Sequence, residues 1–591
     1  MTDWMWVGDD IRPLIRSRNK MLALDTETTG LTFYDDVLGI AAAWRTDRGS
    51  MRSSYLRAPV GQISMDDPIM ERGAIDIDEF MKAVFDKHQV IYHNEAFDTR
   101  ALFRVAPKRI PKQRTHDTHH LAGLEGWQEE RSLHWLYTKH VCKDLPPEYH
   151  AMKRKRKKLD LLPLEVVAKY GRMDAVNTLE LFEVLYRKTI DKAISREYYR
   201  KDREYSQIVM QMIRTGLALD FEWCIDKEQD FRSRMLIIEE NLRALGLKNI
   251  GSNVSVATFL FKERNLPLGL THITSVKTVG WPAGVPSVAK GVLERLSPAD
   301  PEVIDMITSW RQLQGAISKW LIDLREHASI DGRVHALLDP FGTVSARMAC
   351  SEPNLQAIPM EDRGTAFGSM SGIFKPEGVD KLHAADYSQA ETRLAAVLAK
   401  ESKLIQVLNM DIDPYKQMSI DIWDTPSRRN DAKRATLASI YGVGPETFAQ
   451  QWNLEIDEAF SILATFRQAY PRLRLAEQLA MQVAKQTGCV RAYSDRPRWF
   501  GGVESTHKAF NQKVQTSVAE IIKDAMMEVS MAFPGILRLQ IHDSLVVESN
   551  YKKAPMRAIK KIMTNSVPEE YRDIVEFPTD AKQWSLRVSS K

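Results

Sequence analysis

Asp25 and Glu27 stand two residues apart where the apolar stretch Met21–Leu24 of "KMLALDTETTGL" ends. On a strand, residues two apart project to one side, and carboxylates that close repel unless a cation shares them. Asp98 follows the apolar Val90–Tyr92 in "VIYHNEAFD", at the start of a short helix. Asp174 lies four residues after Tyr170, on one face of the amphipathic "YGRMDAVNTLELF". Four acids of this kind can hold two divalent ions about 4 Å apart, one generating a hydroxide and the other stabilising a leaving oxygen, with Tyr170 orienting the attacking water. Taken singly, each acid reads equally well as part of a solvated loop.

A second set lies in the C-terminal half. In "LQIHDSLVVE", His542, Asp543 and Ser544 interrupt an apolar hairpin pattern. A turn accounts for them, since Asp and Ser are good turn formers. A cation accounts for them more sharply, because an ionised acid in apolar surroundings needs a partner. The second carboxylate is Asp386, which ends the strand Leu382–Ala385 in "KLHAADYSQAETRLAAVLA"; Glu391 falls in the first turn of the helix that starts near Ala390. Mg2+ accepts one or two carboxylates plus substrate phosphate oxygens, so two acids suffice. In "RRNDAKRATLASIYG", Arg429, Lys433, Leu437 and Tyr441 recur every four residues along one helix face. The cationic end suits phosphates and the apolar end a sugar and a base.

The elements that must carry these groups are strands that end on acids and helices that start or pass beside them. A chain of 591 residues exceeds one hydrophobic core, which implies three to five subdomains. Its 44% apolar and 27% charged residues are ordinary for a globular protein. The net charge of +4 is mild, but "KRKRKK", Lys153–Lys158, is a run suited to phosphate contact or to a solvated surface loop. Four dispersed cysteines, Cys142, Cys224, Cys350 and Cys489, exclude a disulfide scaffold and a CxxC zinc site and fit a reducing compartment. The acidic N-terminus, broken by Pro13, is no signal peptide, and no run of 18 apolar residues exists to span a membrane. From Leu179 to Arg214 the pattern predicts one long helix, stopped by Gly216. Residues 251–330 predict further helix around "TVGWPAGVPSVAKG", as an arm gripping a duplex or a plain spacer.

"DTETTG", "HNEAFD" and "YGRMD" resemble the three motifs of the DEDD, tyrosine-type 3′–5′ exonucleases, and "RTHDTHHLAG" around Asp117 fits that family without an assigned catalytic role. "DYSQAETR", "RRNDAKRATLASIYG" and "IHD" resemble motifs A, B and C of the family A DNA polymerases. "TVSARMACSEPNLQAIP" and "AFNQKVQTSVAEIIKDAM" resemble that family's primer–template segment and the helix preceding motif C. The resemblance implies a multidomain α/β and α+β fold: a ribonuclease H-like exonuclease domain (1–190), then a right-hand polymerase with thumb (191–335), palm (336–400 and 535–591) and fingers (401–534). With no room for an N-terminal 5′-nuclease, the layout is expected to be that of a polymerase I large fragment or a phage replicase, acting in the cytoplasm (the host's, if phage-encoded).

The implied chemistry is template-directed DNA synthesis from dNTPs with proofreading, using two Mg2+ ions per site and with Mn2+ able to substitute. Asp386, the Tyr387 carbonyl and Asp543 would ligate metal in one site, and Asp25, Glu27, Asp98 and Asp174 in the other. Arg429 and Lys433 would bind the triphosphate, Lys433 also serving as a candidate to protonate the leaving pyrophosphate. Glu391 would block a ribose 2′-hydroxyl, and Tyr441 would sit by the nascent pair. Arg347, Asn354, Gln356, Asn511, Gln515 and His542 would contact primer–template DNA. The implied partners are primer–template DNA, dNTPs and unidentified replisome proteins, with no membrane. Three positions depart from the pattern: Leu437 replaces an aromatic that meets the incoming sugar, Ser544 replaces an acid after His-Asp, and Tyr415 replaces a histidine that assists the triphosphate. The span Ser309–Arg333 lacks the long insert by which some phage enzymes dock a processivity factor. Two rivals are a nuclease that keeps its polymerase-like half only for binding, opposed by the presence of Asp386, Lys433 and Asp543, and a single-subunit RNA polymerase, opposed by Glu391.

Overall fold

Small side chains decide how the N-terminal sheet accepts its helix. In the computed structural model, which describes residues 4–16, 20–58, 74–111, 115–126, 130–145, 156–377, 381–410, 412–452, 454–549 and 555–584, seven strands form one sheet. These are β1 (Trp4–Gly8), β2 (Met21–Thr28), β3 (Val37–Arg45), β4 (Met51–Arg57), β5 (Ala74–Ile75), β6 (Gln89–Tyr92) and β7 (His116–Asp117), in the order β5-β1-β4-β3-β2-β6-β7. β2 runs antiparallel to β3, where Ala23, Asp25 and Glu27 face Ala43, Ala41 and Gly39. Helix α1 (Glu95–Val105) follows β6, and helix α2 (Leu164–Ile190) packs across β2 and β3. A Cβ on Gly39 would lie 2.2 Å from the Tyr55 ring, and one on Gly171 would lie 3.3 Å from the Glu27 side chain. These two glycines let the α2 backbone settle directly over the acidic end of β2.

The single helix expected over Leu179–Arg214 is two. α2 ends at Ile190, and α3 (Ala193–Thr215) starts after Asp191 and Lys192. No Pro or Gly marks the break. Packing does: Phe182 and Tyr186 of α2 meet Tyr199 of α3 and His116 of β7 in one aromatic cluster, with the Tyr186 and Tyr199 rings 6.1 Å apart. Gly216, with φ +60°, ends α3 as expected.

A hairpin of β8 (Leu337–Asp339) and β9 (Ala349–Ser351) precedes a second sheet. That sheet consists of β10 (Lys381–Tyr387), β11 (Leu537–Ile541), β12 (Ser544–Ser549) and β13 (Thr579–Gln583), in the order β11-β12-β10-β13. Between β10 and β11 the chain is mainly helical and includes α4 (Ala390–Ala399), α5 (Arg429–Tyr441), α6 (Pro471–Thr487) and α7 (Ala509–Ala532).

The chain divides into two compact units. Residues 1–216, 335–356 and 382–582 form the first, and residues 217–334, 357–381 and 583–591 the second. The second unit is mostly helical, as residues 251–330 predict. Its helix Phe221–Ala244, capped by the Asp220 side chain, packs on Pro301–Ala316 around Leu242, Phe259, Leu260 and Ile307. Among the described residues, no helix is long and apolar enough to cross a membrane. Lys153–Lys155 of the basic run lie outside the described residues.

Candidate active sites

The first site is built on the acidic end of β2. Strand periodicity aims Asp25 and Glu27 the same way, and α2 brings Asp174 over them. One oxygen from each of Asp25, Glu27 and Asp174 lies within 4.8 Å of the others. Asp98 faces the same cleft, but its Oδ1 accepts hydrogen bonds from the Thr26 amide (2.8 Å) and hydroxyl (2.7 Å). Tyr170, buried one turn before Asp174, also lines this cleft of about 590 Å³. The structure thus gathers all five expected residues, three of them as a tight carboxylate group.

Sequence reasoning missed the opposite wall, made by His93, His119, Arg131 and His134. Burial, with Arg131 adding to it, holds the His119 imidazole well below its ordinary range, so that ring is neutral. Asp117, given no catalytic role, shapes the loop ahead of Asp98. Its carboxylate accepts the amides of Asn94 (3.1 Å), Glu95 (2.8 Å) and His119 (2.7 Å), and it fixes Asn94 at φ +73°. A lone acid between histidines carries no spacing that reveals this.

The second site answers the puzzle of the interrupted hairpin. Ile541 pairs with Ser544, so His542 and Asp543 are the two-residue turn between β11 and β12, with His542 at φ +52°. Both readings hold at once: the turn is what presents the acid. β12 lies beside β10, so the Asp386 and Asp543 backbones become neighbours, the Tyr387 amide reaching the Asp543 carbonyl at 3.4 Å. Ser544 Oγ donates to Asp386 Oδ1 at 2.6 Å. Burial pushes the Asp543 carboxyl up to about 6; Glu391 and Asp386 add to this and Arg347 opposes it.

Arg347 forms an ion pair with Glu391 and approaches Asp543 Oδ1 at 3.8 Å. Tyr441, at the end of α5, donates to the other Glu391 oxygen at 2.7 Å. Glu391, Arg347, Tyr441 and both acids therefore form one constellation. Lys433 is exposed on α5, one turn before the half-buried Leu437. Arg429, at the start of that helix, is held by Asp413 (2.7 Å) over the ring of the buried Tyr415, whose hydroxyl lies 3.5 Å from that of Thr392. Tyr387 turns its own side chain away, donating to the Met563 carbonyl.

The remaining expected contacts are dispersed. Asn511 and Gln515 are half-buried on α7, the Asn511 carbonyl oxygen lacking a hydrogen bond among the described residues. His542 is exposed at the turn. Asn354 is exposed and accepts the Gln356 amide at 3.1 Å, while Gln356 donates to the Gln540 carbonyl at 2.9 Å.

Residues 222–582 match the family described as DNA polymerase family A, and residues 12–190 match 3′–5′ exonuclease. Among curated proteins, DNA polymerase I of Caldicellulosiruptor bescii is 27% identical over 64% of this chain and 46% of its own length. That of Geobacillus stearothermophilus is 26% identical over 80% of this chain and 53% of its own. That of Borreliella burgdorferi is 23% identical over 92% and 60%. The chain spans about half the length of the curated relatives it matches. Among solved structures, the POL domain of Pol1 from M. smegmatis, in complex with DNA primer-template and dNTP, superposes with a TM-score of 0.73 at 20% identity, covering 97% of each chain.

Proposed function

The chain belongs to DNA polymerase family A and carries a 3′–5′ exonuclease domain ahead of its polymerase domain, and on that premise we propose that it extends a primer 3′ end with dNTPs along a DNA template and trims mispaired ends by hydrolysis. The observation that carries this reading is the meeting of Asp386 and Asp543, from distant parts of the chain, on neighbouring strands beside Glu391 and Arg347.

Both acid sets suit a hard divalent cation: one gathers three carboxylate oxygens, and the other includes an acid whose raised pKa reflects a missing positive charge. When bound, Mg2+ or Mn2+ supplies activation of the attacking hydroxyl or water and neutralises developing phosphate charge. In synthesis, Asp386, Asp543 and the Tyr387 carbonyl hold the metals. Lys433 offers an exposed ammonium to the triphosphate. Arg429 joins it by exchanging the Asp413 carboxylate for a phosphate, guided by the Tyr415 ring beneath. Glu391, with both oxygens engaged, is a fixed obstacle to a 2′-hydroxyl, and its hydrogen bond holds the Tyr441 ring beside the nascent pair. Arg347, Asn354, Gln356, Asn511, Gln515 and His542 line the path of primer and template, Gln356 by bracing the hairpin strand β11. Leu437 gives the incoming sugar an aliphatic rather than an aromatic contact.

In proofreading, Asp25, Glu27, Asp98 and Asp174 hold the metals and Tyr170 orients the water. The division into exonuclease (1–190), thumb (191–335), palm and fingers follows the family layout. A cytoplasmic site of action fits the four free cysteines. A phage origin gains no support from the relatives found, which are bacterial. The test is a labelled primer on a longer template with Mg2+. Lengthening with dNTPs but not rNTPs, and shortening without nucleotides, is expected; shortening alone, or extension with rNTPs, would return the reading to one of the two rivals.

A further inference from the structure

Helix α6 carries Leu475, Leu479 and Val483 every four residues, with exposures of 53%, 53% and 46%. They floor a groove of about 760 Å³ bounded by the end of α4, the start of α7 and the hairpin that runs from Cys489 to Trp499. A contiguous apolar stripe on a polar surface marks a contact surface. The rim is cationic, with Lys400, Arg472, Arg491 and Lys513, and none of the residues lining the groove is acidic. Lys513 is half-buried, and burial lowers its pKa. A cation held partly out of water without an ion pair among the described residues is poised for an anion from outside.

This groove is not the back of either carboxylate site. On α7, Asn511 and Gln515 share one face, while Phe510 and Lys513 belong to the other. Its chemistry also disfavours a nucleic-acid strand, which is held by exposed aromatic planes. The floor is aliphatic, Phe510 is only 3% exposed, and Gly126 lies against the Trp499 ring. Side chains spaced by four form a ridge that a second helix packs against.

We propose that this groove docks an acidic amphipathic helix of a partner protein, whose aliphatic face covers Leu475, Leu479 and Val483 and whose carboxylates meet the four cations. The stripe runs for about 12 Å, so the docked segment needs about two to three turns.

The probe is a fluorescein-labelled amphipathic peptide of glutamate and leucine, titrated with the full chain at low salt and read by anisotropy. Saturable binding is expected, weakened about tenfold or more by Arg472→Glu combined with Arg491→Glu, and separately by Leu479→Glu. These side chains are exposed, so the variants fold, and primer extension on a short template should be unchanged. A lysine–leucine peptide of the same pattern should bind at least about tenfold more weakly. No saturation by about 200 µM, equal binding of the two peptides, or variants that bind as the parent does would overturn the proposal. So would an oligo-dT strand whose affinity falls with the same substitutions, which would make the groove a nucleic-acid track. A parent dimer that Leu479→Glu converts to monomer in sedimentation would make it a self-association face and overturn the proposal equally.

Discussion

At the scale of single residues, Asp543 concentrates the electrostatics of synthesis. Burial raises its carboxyl to about 6, above the ordinary value of 3.8. With no cation bound, its contribution to stability is full below the unfolded-state value and is lost as pH rises through about 6, because ionisation is disfavoured in the folded chain. A divalent cation reverses this by stabilising the ionised form. The gain in Tm on adding Mg2+ should therefore be larger at about pH 8 than at about pH 5.5, and Asp543→Asn should shrink the difference; calorimetry at the two pH values checks this. Ser544 offers a second test. Its hydroxyl orients Asp386 rather than replacing a third carboxylate. Ser544→Ala should raise the Mg2+ concentration for half-maximal extension by up to about tenfold, while degradation of single strands stays unchanged. The acids themselves were legible, because a carboxylate at the end of an apolar strand is a local pattern. The partners of Ser544 and Arg347 were not, since a hydrogen bond to a residue far along the chain leaves no trace in local spacing. The histidines and Arg131 of the exonuclease cleft escaped for the same reason.

At the scale of elements, a buried ionic network ties α3 to α7 and to the loop between Cys489 and Trp499. Arg496 bonds Asp202 (3.0 Å) and Glu520 (2.7 Å), Lys523 bonds Glu520 (2.9 Å), and Lys201 bonds Asp524 (2.6 Å). The nearby cations, Arg496 first, hold the Glu520 carboxyl down at about 2 against the opposing effect of burial. Removing one member strands the others without water. Glu520→Ala should cost about 3–5 kcal/mol in unfolding by urea, with a lowered Tm; a loss below about 1 kcal/mol would mean that the network contributes little. Helix type and the strand–turn–strand that carries Asp543 followed from local sequence periodicity. The break after Ile190 did not, because a cluster of rings from β7, α2 and α3, rather than Gly or Pro, decides it.

At the scale of the whole molecule, both candidate sites belong to one compact unit, and one short segment serves both. Ser351 and Glu352 line the exonuclease cleft, while Arg347 pairs with Glu391 in the other site. The buried Arg100 of α1 donates to the carbonyls of His335 (3.2 Å) and Glu352 (2.9 Å), fastening that segment to the exonuclease sheet. The order of motifs made two chemistries legible in the sequence, but a shared segment between them appears only once the chain is folded. The two acid sets remain chemically separate, so each should fail alone. The most direct measurement follows one labelled, mismatched primer–template with the parent chain, Asp386→Ala and Asp25→Ala, with and without dNTPs. Asp386→Ala should lose extension by at least about a thousandfold and still shorten the primer, and Asp25→Ala should extend a matched primer normally and leave the mismatched end intact. Extension that survives Asp386→Ala, or that disappears with Asp25→Ala, would contradict the account.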